Sequence, residues 1–317
     1  IVLVIKILNS NFNEFGHEWL KHQVGWITNT YLTYKDHDKF LIVIYLIKKT
    51  LDFYHKNFIK FSLDDFYSQE KLEIENFNIS ELANSLYMPK ETARRKVVQL
   101  EKDGAISRKN KKIILDRSVF PYVKPIDSTK RTANFLSHFS FILKRHKIIE
   151  NSINKDFILE IIQKDFTHCW RLYYELQIPI LLNWKKYFKD LETWHIFGFC
   201  GINKSYNKYF KEEKKTLHDY VLSLQKKRGD LGLNAMTISE LTNIPRATVI
   251  RKLKWLIQSQ HLIGLLSLNH NSIQTYVGDF ELDYKLLLAE IYTYPFYLQF
   301  FSNCPILNTY LNQALRF

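Results

Sequence analysis

Two stretches of this chain carry the same alternation of apolar and polar positions, 156 residues apart and without a gap. The first runs from Leu82 to Leu100 and the second from Ile238 to Leu256. Ala93, Val97 and Leu100 stand at i, i+4 and i+7, as do Val249, Leu253 and Leu256, which is the spacing of a helix that buries one stripe. Pro89 and Pro245 fall where those helices begin, a place that tolerates a missing N–H. In the first copy the pattern predicts a helix over 79–86 and a second over Lys90–Lys102, ended by Asp103-Gly104. Short β-prone runs follow each copy around polar tips: 105–115, and 262–277 with its turn at Asn269–Asn271.

Elsewhere the periodicity is mostly helical. Phe40 to Phe58 reads as a buried helix, and Ser62-Leu-Asp-Asp-Phe as a capped turn leading into a polar connection. Pro121 and Pro125 mark a linker, and Thr129 to Ile149 is amphipathic. Aromatic-rich segments lie at Trp170 to Trp184 and from Tyr284 onward, the latter interrupted at Pro295 and Pro305. The 156-residue offset also pairs Leu20 with Leu176, Tyr31-Leu32 with Tyr187-Phe188 and Tyr54 with Phe210. The expected organisation is therefore two repeats, 1–160 and 161–317, with helix-turn-helix and hairpin units at about 77–118 and 234–280. The fold class expected is mainly α with small β wings.

Charge sharpens this picture. The 317 residues carry 45 Lys and Arg against 32 Asp and Glu, a net charge of +13. Residues 1–156 hold 26 basic and 18 acidic side chains and the remainder 19 and 14, so both halves are basic. A polyanionic partner is the natural inference. At 46% hydrophobic and 15% aromatic residues the chain has ample material for packed cores. Cys169, Cys200 and Cys304 have no paired spacing, which points to reduced thiols and neither a disulfide frame nor a zinc site. The longest apolar run, Phe40 to Ile47, is far short of a membrane span. The first ten residues lack a charged leader and a small-residue cleavage site, so no signal peptide is expected, and the expected location is cytoplasmic, in association with the nucleoid.

The outward faces of the two longer helices carry the candidate chemistry. In the first copy these are Lys90, Glu91, Thr92, Arg94 and Arg95, followed by Lys96. In the second they are Arg246, Ala247, Thr248, Ile250 and Arg251, followed by Lys252. Arginine offers two parallel donors to guanine O6 and N7, while Thr and Lys near a helix start suit phosphates. Thr92 and Thr248, Arg95 and Arg251, and Lys96 and Lys252 recur at matching positions. Helix, turn, helix, hairpin is the winged-helix order, and the segments 79–116 and 236–279 resemble the winged helix-turn-helix of bacterial transcription regulators. Pro-Arg-Ala-Thr-Val-Ile-Arg-Lys-Leu (245–253) is similar to the recognition helices of the IclR and MarR types. Tyr87 and Asn243 stand where that pattern usually has a turn glycine. The resemblance implies duplex DNA binding and control of transcription, and the duplication suggests one chain imitating a two-fold dimer.

The two hairpins differ. The first carries Arg108, Lys109, Lys111 and Lys112 within five residues, a phosphate-contacting tip, whereas the second has only Asn269, His270 and Asn271. Enzyme signals are absent: His17 and His22 are five apart, not four as in a zinc-protease helix, Asp36-His37-Asp38 reads as a helix start, and nine glycines form no phosphate loop. No cofactor or metal is expected. The expected partner is double-stranded DNA, with a small-molecule effector left open and the chain a monomer or homodimer. Two rival readings are a plasmid- or phage-type replication initiator and a protein–protein adaptor.

Overall fold

The structure is a computed structural model that describes residues 10–75, 77–109, 111–119, 125–205, 216, 233–259, 262–266 and 273–277. It is mainly helical. Helix α1 (Phe12–Tyr34) ends on Lys35 in the left-handed conformation and is followed by Asp36, which caps α2 (His37–Lys56). The Asp36 carboxylate accepts from the amides of Asp38 and Lys39 at 2.9 and 3.0 Å, so the Asp-His-Asp cluster is indeed a helix start. Phe40, Leu41, Ile44, Ile47 and Leu51 line the buried side of α2. The helix stops at Lys56, and Phe58, expected inside it, lies beyond the end with φ 57° and is 93% exposed.

A short helix α3 (Leu63–Ser68), capped by Ser62, leads into β1 (Lys71–Ile74). This strand replaces the polar connection expected from sequence; Leu72 and Ile74 face inward while Lys71 and Glu73 face out. Helix α4 (Ile79–Ser85) begins on the Asn78 cap, and α5 (Lys90–Lys102) follows after a four-residue turn. Gly104, at φ 75°, ends α5 as its conformational freedom allows. Strands β2 (Ile106–Lys109) and β3 (Lys112–Asp116) then form an antiparallel sheet in the order β1-β3-β2, with Leu72 opposite Leu115 and Arg108 opposite Ile113. Arg117 closes this unit: its guanidinium lies over the Phe66 and Tyr67 rings at 4.5 and 4.6 Å and donates to the Phe66 carbonyl at 2.5 Å.

Helices α6 (Ile126–Arg145) and α7 (Lys155–Lys164) lead to α8 (Phe166–Phe188) and α9 (Leu191–Ser205). Helix α8 has the same 23-residue length as α1 and also ends on a lysine of positive φ, Lys189 (φ 68°), followed by an aspartate, Asp190. The two helices begin and end 154 positions apart, so the 156-residue offset read from the later motifs does not hold here. The chain then reaches α10 (Ala235–Thr242), α11 (Arg246–Gln258), β4 (Leu262–Leu266) and β5 (Ile273–Val277), the last two an antiparallel pair. The order helix, helix, hairpin thus occurs twice.

The long helices interlock across the halves. Helix α2 packs on α8, and α1 packs on α9. Phe15, Ile27, Leu41, Phe139, Phe166, Trp170 and Trp194 are among the side chains fully buried in this shared core. Burying a side chain of this size contributes about 2–3 kcal/mol before entropy is counted. No helix among the described residues is long and apolar enough to cross a membrane. The expected tip at Asn269–Asn271, Pro121 of the linker and the stretch from Tyr284 lie outside the described residues.

Candidate nucleic-acid interface

The geometry starts from two turns. Between α4 and α5, Tyr87 adopts φ 47°, and Met88 N–H returns to the Ala83 carbonyl at 2.9 Å. Between α10 and α11, Asn243 adopts φ 59°, and Ile244 N–H donates to the Thr242 hydroxyl at 3.1 Å while Ser239 Oγ donates to the Ile244 carbonyl at 2.7 Å. Both positions that lack a glycine are therefore left-handed, easily for Asn and at a cost for Tyr. Pro89 and Pro245 have nearly identical backbone angles (φ −55°, ψ 134° and φ −53°, ψ 134°) and open the following helices.

The inward stripes are as the spacing predicts: Ala93, Val97, Leu100, Val249, Leu253 and Leu256 are fully buried. On the outer faces the predicted residues separate into three groups. Lys90, Arg95, Lys109, Lys111, Arg246 and Arg251 are exposed and make no ion pair among the described residues. Arg94, Arg108 and Lys112 are held by carboxylates. Arg94 forms a two-pronged pair with Glu91 at 2.9 and 2.6 Å, Arg108 another with Glu101 at 2.6 Å on both prongs, and Lys112 reaches Glu75 at 2.8 Å. These pairs hold the Glu91 and Glu75 carboxyls below the usual carboxylate range through hydrogen bonds from Arg94 and Lys112.

Lys96 and Lys252 form the third group. Both turn away from the outer face: Lys96 pairs with Asp36 and Lys252 with Asp190. The sequence reading counted both among the DNA-contacting residues, but a carboxylate some 60 positions upstream claims each ammonium. Thr92 and Thr248 are half-buried at the edge, and Ile250, read as outward, packs on the core. Lys254, not singled out by the motif comparison, is exposed three positions beyond Arg251; its counterpart at the 156-residue offset is Val98, so the comparison gave no cue.

The platforms under the two helices are also alike. Helix α2 grips the first unit through Lys39 to Asp103 at 2.6 Å and Lys49 to Glu81 at 2.8 Å, besides Asp36 to Lys96. Helix α9 packs on α10 and α11, and Lys189 Nζ lies 4.8 Å from the Trp255 ring centroid. Between the platforms, Lys185 of α8 bonds Asp38 of α2 at 2.7 Å, the His37 and His195 rings are 5.4 Å apart, and Thr28 Oγ1 lies 2.8 Å from His195 Nε2. Burial lowers the His37 imidazole to about 3 and holds His195 well below its ordinary value, so both are neutral at physiological pH. Glu192 shares this region and is raised to about 7 by burial and by the carboxylates of Asp190 and Asp38.

No family model, curated protein or solved structure matches the chain. Among the described residues no group of three or more His, Cys, Asp or Glu is arranged to hold a metal ion. The exposed, unpaired cations on α5, α11 and the 106–116 hairpin are the arrangement best suited to a polyanion.

Proposed function

We propose that the chain is a sequence-specific double-stranded DNA-binding regulator of transcription, built from two winged helices related by a pseudo-two-fold axis. Helices α5 and α11 enter successive major grooves. The observation that carries this reading is the matched pair Arg95 and Arg251: each is exposed and unpaired, and each precedes a lysine tied inward to an aspartate. The inward tie fixes the rotation of the helix about its axis, which leaves the neighbouring arginine pointing outward. Bidentate contact to guanine is the readout such a side chain is suited to.

Lys90 and Arg246, at the first helical positions, approach phosphates, and Lys109 and Lys111 of the first hairpin add electrostatic grip. Because Arg94 is paired with Glu91 whereas Ile250 occupies the corresponding place in α11, the two half-sites differ in sequence. The reading requires the interlocked long helices to hold the two readers near one helical turn of DNA apart, roughly 34 Å.

Selection of bound duplexes from a random pool tests the reading. The wild type should enrich a two-part motif; Arg95→Ala and Arg251→Ala should each relax one half and leave the other. Failure to enrich any duplex would sink the proposal.

A further inference from the structure

A cavity of about 860 Å³ opens between α1, α2, the start of α6 and α8. Its walls are apolar and aromatic: Trp26, Phe40, Ile44, Ile47 and Trp170. The Trp26 and Phe40 rings meet edge to face at 5.3 Å, and the buried Trp170 Nε1 has no acceptor of hydrogen-bonding geometry. The volume lies within the range of small-molecule sites, which are typically apolar with a few convergent polar groups.

The polar groups are unusual in their charges. Behind the cavity lies Arg131, half-buried, which feels the charge of Asp127 but has no carboxylate within 4 Å among the described residues. With the Asn29 amide oriented so that its oxygen faces the guanidinium, Oδ1 accepts from Arg131 Nη1 and Nη2 at 2.9 and 3.2 Å. Ser128 Oγ accepts from Nη2 at 3.1 Å. Both Asn29 and Ser128 line the cavity. Asn29 Oδ1 is engaged twice by Arg131 and Ser128 Oγ once, so the Asn29 NH2 and the Ser128 hydroxyl hydrogen remain as donors, with one lone pair of Ser128 Oγ besides. Next to Ser128, the exposed Asp127 also lines the cavity and makes no ion pair among the described residues.

An apolar aromatic slot thus carries a donor pair backed by a cation and, beside it, a carboxylate that feels that cation without forming a direct ion pair. We infer that this cavity binds a zwitterionic aromatic amino acid. The ring fits the slot between Trp26, Phe40 and Trp170, the carboxylate takes the donors of Asn29 and Ser128 in the field of Arg131, and the ammonium pairs with Asp127. A simple aromatic acid would satisfy the donors but would meet Asp127 as a like charge; a simple amine would leave the donor pair unused. This inference stands apart from the DNA reading and requires no nucleic acid for its test.

Calorimetric titration of the full chain with L-phenylalanine, hydrocinnamate and 2-phenylethylamine separates the contributions. L-Phenylalanine should bind saturably, and each analogue lacking one charge about tenfold or more weaker, the loss of one charge-assisted contact. Asp127→Asn, a change at an exposed position, should weaken L-phenylalanine by a similar factor and leave hydrocinnamate unchanged or tighter. Thr33 also lines the cavity, and Thr33→Trp, which fills the slot, should abolish binding of all three. The inference is overturned if L-phenylalanine does not bind at millimolar concentration, if hydrocinnamate binds the wild type as well as L-phenylalanine does, or if Asp127→Asn or Thr33→Trp leaves L-phenylalanine binding intact.

Discussion

Lys96 of α5 is ion-paired to the aspartate that caps the platform helix, Asp36, whose two oxygens have separate tasks. Oδ1 accepts from the amides of Asp38 and Lys39, and Oδ2 takes Lys96 Nζ. Asp190 repeats the arrangement, with Oδ1 on Thr193 N–H at 2.8 Å and Oδ2 on Lys252. One carboxylate therefore couples the start of a platform helix to the orientation of a reading helix. Asp36→Asn keeps the cap and should cost about 1 kcal/mol, while Asp36→Ala loses cap and pair together and should cost roughly 2 kcal/mol. Urea unfolding measures both; equal losses would show that the cap contributes nothing beyond the pair, and an unaltered Asp36→Asn would show that the pair contributes nothing.

Arg95 and Lys96 are neighbours with opposite expected phenotypes. Arg95→Ala should change stability by less than about 0.5 kcal/mol, as surface substitutions do, while costing roughly 1–3 kcal/mol of duplex affinity. Lys96→Ala should lower stability measurably and weaken binding only indirectly. Side-by-side unfolding and gel-shift titrations separate the two, and a stability loss in Arg95→Ala matching that of Lys96→Ala would contradict the assignment.

Glu192 gives the central cluster a pH dependence whose sign is fixed. Its carboxyl is raised from 4.5 to about 7 in the folded chain, so the folded state binds the proton more tightly than the unfolded one. The stabilisation is complete below about 4.5 and is lost as pH rises through about 7. Glu192→Gln should remove that loss and raise stability at pH 8 by roughly 2 kcal/mol relative to the wild type, with little gain at pH 4. His37 acts in the other direction: its lowered value supplies stability above 6.5 that disappears as pH falls toward about 3. Unfolding free energies measured from pH 4 to 8 in both proteins test the assignment; parallel curves would remove Glu192 from the account.

Tyr87 is 76% exposed and left-handed. Replacing it with Gly relieves a conformation that costs an L-residue about 1–2 kcal/mol, offset in part by the greater freedom of unfolded glycine. A net gain of roughly 0.5–1 kcal/mol is expected for Tyr87→Gly and a loss for Asn243→Ala, both read by denaturant midpoint.

The hairpin basic residues are not equivalent. Lys109→Ala with Lys111→Ala should reduce the slope of log affinity against log salt by about 1–2, since each neutralised phosphate contributes about 0.9. Arg108→Ala should change it less, because Glu101 already holds that guanidinium. An unchanged slope in the double variant would remove the hairpin from the interface.

Much of the local structure was legible in the residues. The Lys90–Lys102 helix, the Gly104 stop, the first hairpin and the buried stripes followed from spacing and from glycine's backbone freedom. The strand Lys71–Ile74 did not, because four residues of alternation inside a polar stretch are too few to outweigh their composition; the strand is made by its partner β3. The tethering of Lys96 and Lys252 was equally invisible, since a lysine on a helix gives no sign of a carboxylate 60 positions earlier. The paired positive-φ lysines could have been sought in Tyr34-Lys35-Asp36 and Phe188-Lys189-Asp190, but a search at the fixed 156-residue offset passes over them.

Packing α1 against α9 and α2 against α8 has a consequence for synthesis. A growing chain that has not yet released Ser205 from the ribosome leaves apolar sides of its earliest helices without their later partners, so stable assembly waits until about two thirds of the sequence has emerged. Nascent chains of intermediate length should be the ones that recruit holding chaperones.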